Sequence, residues 1–186
     1  MFGIQVKHFF QISNLLSLFR LIGAFPLFWL LYDSTALGKP YVLVLVFLIS
    51  ISDFFDGYFA RKLNQVSELG KILDPLADKV LVISVSLAFY LTGILDPALF
   101  LIIVLRDLLI ILPGIFLSKY FGSVPASDRI GKWTFTFIGS YLIIIYIGAD
   151  KESLPMQLYY YGLISLILVS YINYAIKAVK SIRNRS

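Results

Sequence analysis

Long apolar runs alternate with short polar breaks along this chain, and the runs predict its elements. Six of them can be read, near Asn14 to Tyr32, Tyr41 to Leu63, Gly70 to Gly93, Pro97 to Phe121, Trp133 to Ile147 and Leu158 to Ala175. A helix rises ~1.5 Å per residue and the hydrocarbon core of a bilayer is ~30 Å thick, so runs of this kind predict transmembrane helices. Turn chemistry separates them at Gly38-Lys39-Pro40, Asp96-Pro97, Gly122-Ser123-Val124-Pro125 and Leu154-Pro155. With no internal repeat and no low-complexity tract, residues 1–186 are expected to form a single all-α membrane domain of six transmembrane helices.

The ends of the first run decide between a retained span and a secretory leader. Lys7 precedes it, as in a leader, but Arg20 interrupts the apolar stretch and no small-x-small cleavage site follows Tyr32, so a retained span is expected. Residues 1–10, with Phe2, Ile4, Val6, Phe9 and Phe10 around Lys7 and His8, suit an interfacial helix lying along the membrane surface.

Composition agrees with a bilayer as solvent. Of the 186 residues, 59% are hydrophobic, against the roughly 45–50% usual in soluble domains. The chain lacks cysteine and has one histidine, His8, so soft-ligand zinc, haem or iron–sulfur chemistry and thiol nucleophiles are excluded. Any metal must be a hard one. The net charge of +5 gains meaning from its placement. Lys7, Arg61, Lys62, Lys71, Lys119, Arg129, Lys132, Lys177, Lys180, Arg183 and Arg185 flank one face, and Lys39 and Lys151 the other. By the positive-inside rule the richer face, with both termini, is cytoplasmic. These cations read as topological anchors, and no nucleic-acid partner is expected.

The apolar pattern fails where the second and third runs approach their connection. Asp53 and Asp56 lie three residues apart, Asp74 and Asp78 four, so each pair projects from one helix face. Two antiparallel helices could aim four carboxylates at one point. Like charges gathered near hydrocarbon are costly unless a cation compensates them. Two ions of magnesium, manganese or calcium would do so and leave coordination positions for phosphate oxygens. Gly57, Ala60 and Gly70 keep bulk away from the same region, which permits close approach of a ligand or of a neighbouring helix. Arg61 offers a forked donor to a phosphate oxygen, or anchors the helix end.

These residues read DxxDGxxAR, then eight residues, then GxxxDxxxD. With eight fixed positions present, the pattern resembles the complete signature of the CDP-alcohol phosphotransferases. Asn14-Leu15-Leu16-Ser17-Leu18-Phe19-Arg20 is similar to that family's first-helix entry. The resemblance implies two Mg2+ or Mn2+ ions held by Asp53, Asp56, Asp74 and Asp78, gripping the diphosphate of a CDP-linked donor. It also implies a donor pocket lined by Gly57, Ala60, Arg61, Gly70 and Asn14, with Asp78 as general base toward the acceptor hydroxyl and CMP as leaving group. The implied donor is CDP-diacylglycerol. Homodimerisation and a bacterial inner-membrane location, with the active site facing the cytoplasm, are further expectations of the family.

The acceptor depends on other polar positions. Arg106 and Asp107 interrupt the fourth run, and Arg129 and Lys132 begin the fifth. Cations around a cavity suit an acceptor bearing its own phosphate, such as glycerol 3-phosphate. Arg106 serves equally well in a structural ion pair; because adjacent helix positions diverge, Asp107 is expected to be a poorer partner than the metal-site acids. Gly131-Lys132 followed by Thr134 is similar to phosphatidylglycerophosphate synthases within the family, whereas Arg106-Asp107 also resembles cardiolipin synthases. Inositol phosphate, phosphatidylglycerol and serine therefore stay open as acceptors. A cation transporter would show buried acids too, but it needs a path to both faces. Tyr41 to Ser50 and Val80 to Leu91 carry no charged residue.

Overall fold

The computed structural model describes residues 12–33, 39–62, 70–121 and 129–183; side chains of 12, 13, 39, 50, 53–62, 70–72, 74, 75, 111–121, 129, 178 and 180–183 lie outside that description. Its described residues form six helices and no strand: α1 (Ile12–Tyr32), α2 (Lys39–Lys62), α3 (Gly70–Leu91), α4 (Pro97–Phe121), α5 (Arg129–Ile147) and α6 (Leu154–Arg183). The interfacial helix expected at residues 1–10 falls outside the described residues.

Helix ends follow local chemistry. Asp96 caps α4, its Oδ1 accepting from the Leu99 amide at 3.0 Å, so that Pro97 falls where a missing N–H costs nothing. Pro155 stands in the first turn of α6 for the same reason, and Leu154-Pro155 begins the helix rather than merely preceding it. At the other ends, Gly93 (φ 72°) and Gly148 (φ 108°) follow α3 and α5 in positive-φ conformations that only glycine takes freely. The sixth helix runs well past the predicted Ala175, to Arg183. Lysine and arginine are good helix formers and suit a helix C-terminus, so the cationic tail prolongs the span instead of ending it.

Among the described residues, three helices contain stretches long and apolar enough to cross a membrane: Asn14–Tyr32, Ile130–Ile147 and Leu154–Lys177. A shorter apolar stretch, Pro40–Ile49, forms the first part of α2. Apart from Lys39, the charges of α2 and α3 gather at their connected ends, and α4 carries Arg106 and Asp107 near its middle.

The chain divides into two compact units, Met1–Gly93 and Ile94–Ser186. In the first, α1 packs against both α2 and α3. Its buried face is one stripe at three- and four-residue spacing: Asn14, Ser17 and Arg20, then Ala24, Leu27 and Leu31. Leu15, Phe19, Ile22, Phe25 and Trp29 cover the outer face, the arrangement expected when lipid takes the place of water. A Cβ on Gly23 would stand 3.4 Å from Ile49 Cδ1, so α1 and α2 leave room there for a methyl but not for a longer side chain. In the second unit α6 packs against both α4 and α5. Tyr159 and Ser140 hydroxyls meet at 2.6 Å between α6 and α5, and the Tyr174 hydroxyl donates to the Ile110 carbonyl of α4 at 3.0 Å.

Candidate active site

The aspartate motif occupies adjoining ends of two helices. Asp53 and Asp56 lie in the last ten residues of α2, and Asp74 and Asp78 in the first nine of α3, with Gly57, Ala60, Arg61 and Gly70 on the same segments. The side chains of Asp53, Asp56, Arg61 and Asp74 lie outside the described residues. Among the described residues no group of three or more carboxylate, imidazole or thiol side chains gathers.

Asp78 is the motif residue whose surroundings are described. Its Oδ1 accepts from Arg20 Nη1 at 2.7 Å. Arg20 is almost wholly buried, at 1%, while the Asp78 side chain keeps 32% of its surface. The ion pair therefore joins a fixed interior cation to a carboxylate that a ligand can still reach. From the sequence, Arg20 is an interruption of an apolar run and the last residue of the stretch similar to the family's first-helix entry, with no role of its own. The available signal was its register: Asn14, Ser17 and Arg20 recur every three residues on what becomes the buried face of α1. Asn14, expected in the donor pocket, is fully buried on that stripe. Just before Asp53, the buried Ser52 hydroxyl returns its proton to the Ile49 carbonyl at 2.6 Å, so it is satisfied within α2.

The donor set suits a hard cation. Carboxylate oxygens are the ligands magnesium and manganese prefer, and the partly accessible Asp78 is of that kind. Asp53, Asp56 and Asp74 share its helix ends.

The second unit brings Arg106 to the start of α5. Its Nη2 donates to the Gly131 carbonyl at 3.3 Å, next to Lys132, which is exposed. The side chain of Arg129 lies outside the described residues. Arg106 Nη1 contacts Asp107 Oδ1 at 2.6 Å, with the two side chains 4% and 0% exposed. This corrects the expectation that Asp107 would be the poorer partner. Neighbouring Cα–Cβ vectors do diverge, but the long arginine curls back, and in a poorly solvated interior the nearest carboxylate prevails. Arg106 Nε is buried and has no hydrogen-bond partner among the described residues, so one donor of the fork is uncommitted there. Thr134, one turn into α5, is fully buried and bonded to the Ile130 carbonyl at 2.8 Å.

Comparison with known proteins covers most of the chain. The family model described as CDP-alcohol phosphatidyltransferase matches residues 10–175. A CDP-diacylglycerol--glycerol-3-phosphate 3-phosphatidyltransferase of Aquifex aeolicus is 38% identical over 178 residues, covering 92% of this chain and 98% of that protein. A Rickettsia typhi protein of the same name is 35% identical over 143 residues, 77% of this chain and 79% of its own. A cardiolipin synthase (CMP-forming) of Streptomyces coelicolor is 34% identical over 134 residues, 69% of this chain and 61% of that one.

Proposed function

The chain belongs to the CDP-alcohol phosphatidyltransferase family, and on that premise we propose that it is an integral membrane enzyme of phospholipid synthesis, moving a phosphatidyl group from CDP-diacylglycerol to glycerol 3-phosphate with release of CMP. The observation that carries the reading is the 38% identity to the Aquifex transferase along nearly all of both chains. Family membership leaves no support for the transporter alternative.

Asp53, Asp56, Asp74 and Asp78 would hold two divalent ions, Mg2+ or Mn2+. When bound, such ions stabilise charge on both the attacking and the leaving oxygens of a phosphoryl transfer. The chain's own groups do the rest. Arg61 donates to a phosphate oxygen, while Gly57, Ala60, Gly70 and Asn14 leave room for the cytidine diphosphate. Asp78 takes the proton of the acceptor hydroxyl as its oxygen bonds to the lipid-side phosphorus and the bond from that phosphorus to the bridging oxygen breaks. Arg106, Lys132 and Arg129 bind the acceptor's phosphate; the approach of Arg106 to the Gly131 carbonyl and its uncommitted Nε support this. All six helices cross the membrane, with both termini and the aspartates at the cytoplasmic face of a bacterial inner membrane, in a homodimer. The one-sided distribution of lysine and arginine supports that orientation.

A second acceptor is favoured by one feature. That feature is the Arg106-Asp107 dipeptide, which resembles cardiolipin synthases such as the Streptomyces relative and so fits phosphatidylglycerol as acceptor, which would yield cardiolipin. Purified protein with Mn2+ and CDP-diacylglycerol should release CMP when glycerol 3-phosphate is added. Inositol phosphate, serine and phosphatidylglycerol assayed beside it decide the acceptor. Asp74→Asn should abolish turnover in a folded protein, and an active Asp74→Asn variant would overturn the metal assignment.

A further inference from the structure

Arg20 is the largest fully buried side chain among the described residues, and it sits in a candidate membrane span. An arginine that merely anchors a helix turns its head to water. This one is 1% exposed and donates inward, from α1 to Asp78 of α3, across 58 positions of sequence. Retaining a cation there is costly and calls for a partner or a task. The packing around it is close: Ala24, one turn on, and Ala77, beside Asp78, are both fully buried. Small side chains on both helices hold the two backbones near each other and leave the guanidinium little freedom.

We infer that Arg20 is a positioning residue for the transfer, fixing the Asp78 carboxylate and offsetting part of the negative charge collected at the adjoining ends of α2 and α3. The inference rests on the role proposed above for Asp78. A carboxylate that must both face a cation and receive a proton has to hold one orientation. A free aspartate rotates about two side-chain bonds, whereas one held at Oδ1 by a rigid, buried guanidinium does not. Arg20 thus acts on the chemistry through Asp78 and not by touching substrate. Partners that orient a metal ligand in this way are worth about 10- to 100-fold in metal affinity or activity.

The test uses the full-length protein in detergent with three readouts: Mn2+ affinity from the electron paramagnetic resonance of free Mn2+, CMP-release kinetics and thermal unfolding. Arg20→Met removes the charge from an apolar span and is expected to insert and fold. Its Mn2+ affinity should fall about 10- to 100-fold and kcat by a similar factor, with KM for CDP-diacylglycerol, taken at saturating Mn2+, within about threefold of native, since Arg20 itself does not touch the donor. Arg20→Lys keeps the cation but loses the planar fork, and should recover part of the loss while remaining measurably below native. A folded Arg20→Met protein with native Mn2+ affinity and native kcat overturns the inference. If that variant does not fold, an Arg20→Lys protein native in both quantities overturns it. Asp78→Asn run beside them separates the two readings: loss of Mn2+ affinity and turnover there, with native behaviour of Arg20→Met, overturns the positioning role and keeps the role of Asp78, whereas a fully active Asp78→Asn protein overturns the role of Asp78 itself.

Discussion

Breaking the buried pair in α4 should be far more damaging than removing it. Arg106 and Asp107 meet at 2.6 Å, with side chains 4% and 0% exposed. At an effective dielectric near 20, unit charges about 4 Å apart attract by about 4 kcal/mol. Asp107→Ala forfeits that attraction and leaves a buried guanidinium with the Gly131 carbonyl as its remaining described partner. Removing one member of a buried pair costs about 3–5 kcal/mol, and at 2–4 °C per kcal/mol for a chain of this size the melting temperature should drop by roughly 6–20 °C. The double variant Arg106→Met/Asp107→Leu removes both charges and fills the space, and should melt within about 4 °C of native. Thermal unfolding in detergent of the native protein, Arg106→Met, Asp107→Leu and the double variant closes the cycle. A single variant that melts like native, or a double variant as unstable as the two losses summed, refutes the reasoning. The folded double variant also isolates the acceptor role: KM for glycerol 3-phosphate should rise at least about tenfold with KM for CDP-diacylglycerol unchanged.

Other outcomes follow from the same geometry. Gly23→Ala should be nearly neutral, its methyl meeting Ile49 Cδ1 at 3.4 Å, whereas Gly23→Leu should overpack the α1–α2 contact and cost about 1–3 kcal/mol by thermal unfolding. Asp96→Ala loses the α4 cap and the acceptor of the Tyr160 hydroxyl, a loss of about 1–2 kcal/mol that Asp96→Asn should largely restore. Chelation should stop CMP release, and added Mn2+ should restore it without refolding, as expected of hard-oxygen ligands on preformed helices; activity persisting in excess chelator would count against the aspartate site.

The register of the buried polar residues shows where sequence reading stops. Asn14 was assigned a place through resemblance, and Arg20, on the same face of the same helix, was not. A single helix pattern shows that two residues share a face. It does not say what the face meets. The choice between Asp107 and the metal-site acids as partner of Arg106 failed for a related reason, since divergence of adjacent Cβ vectors ignores the reach of a long side chain in a medium where charges seek the nearest counter-charge.

Sequence alone determined what depends on near neighbours: the placing of the six described helices to within a few residues at most ends, the break at Asp96-Pro97, and the gathering of four aspartates toward one connection. Apolar periodicity, capping and positive-φ demands act over a turn or two of chain, so they are legible in order of residues. Tertiary structure decided which charges neutralise each other and which helix is shared, with α1 carrying a cation to Asp78 and α6 joining α4 to α5. Those choices depend on which faces touch across tens of residues, and burial raises their energetic weight by lowering the local dielectric.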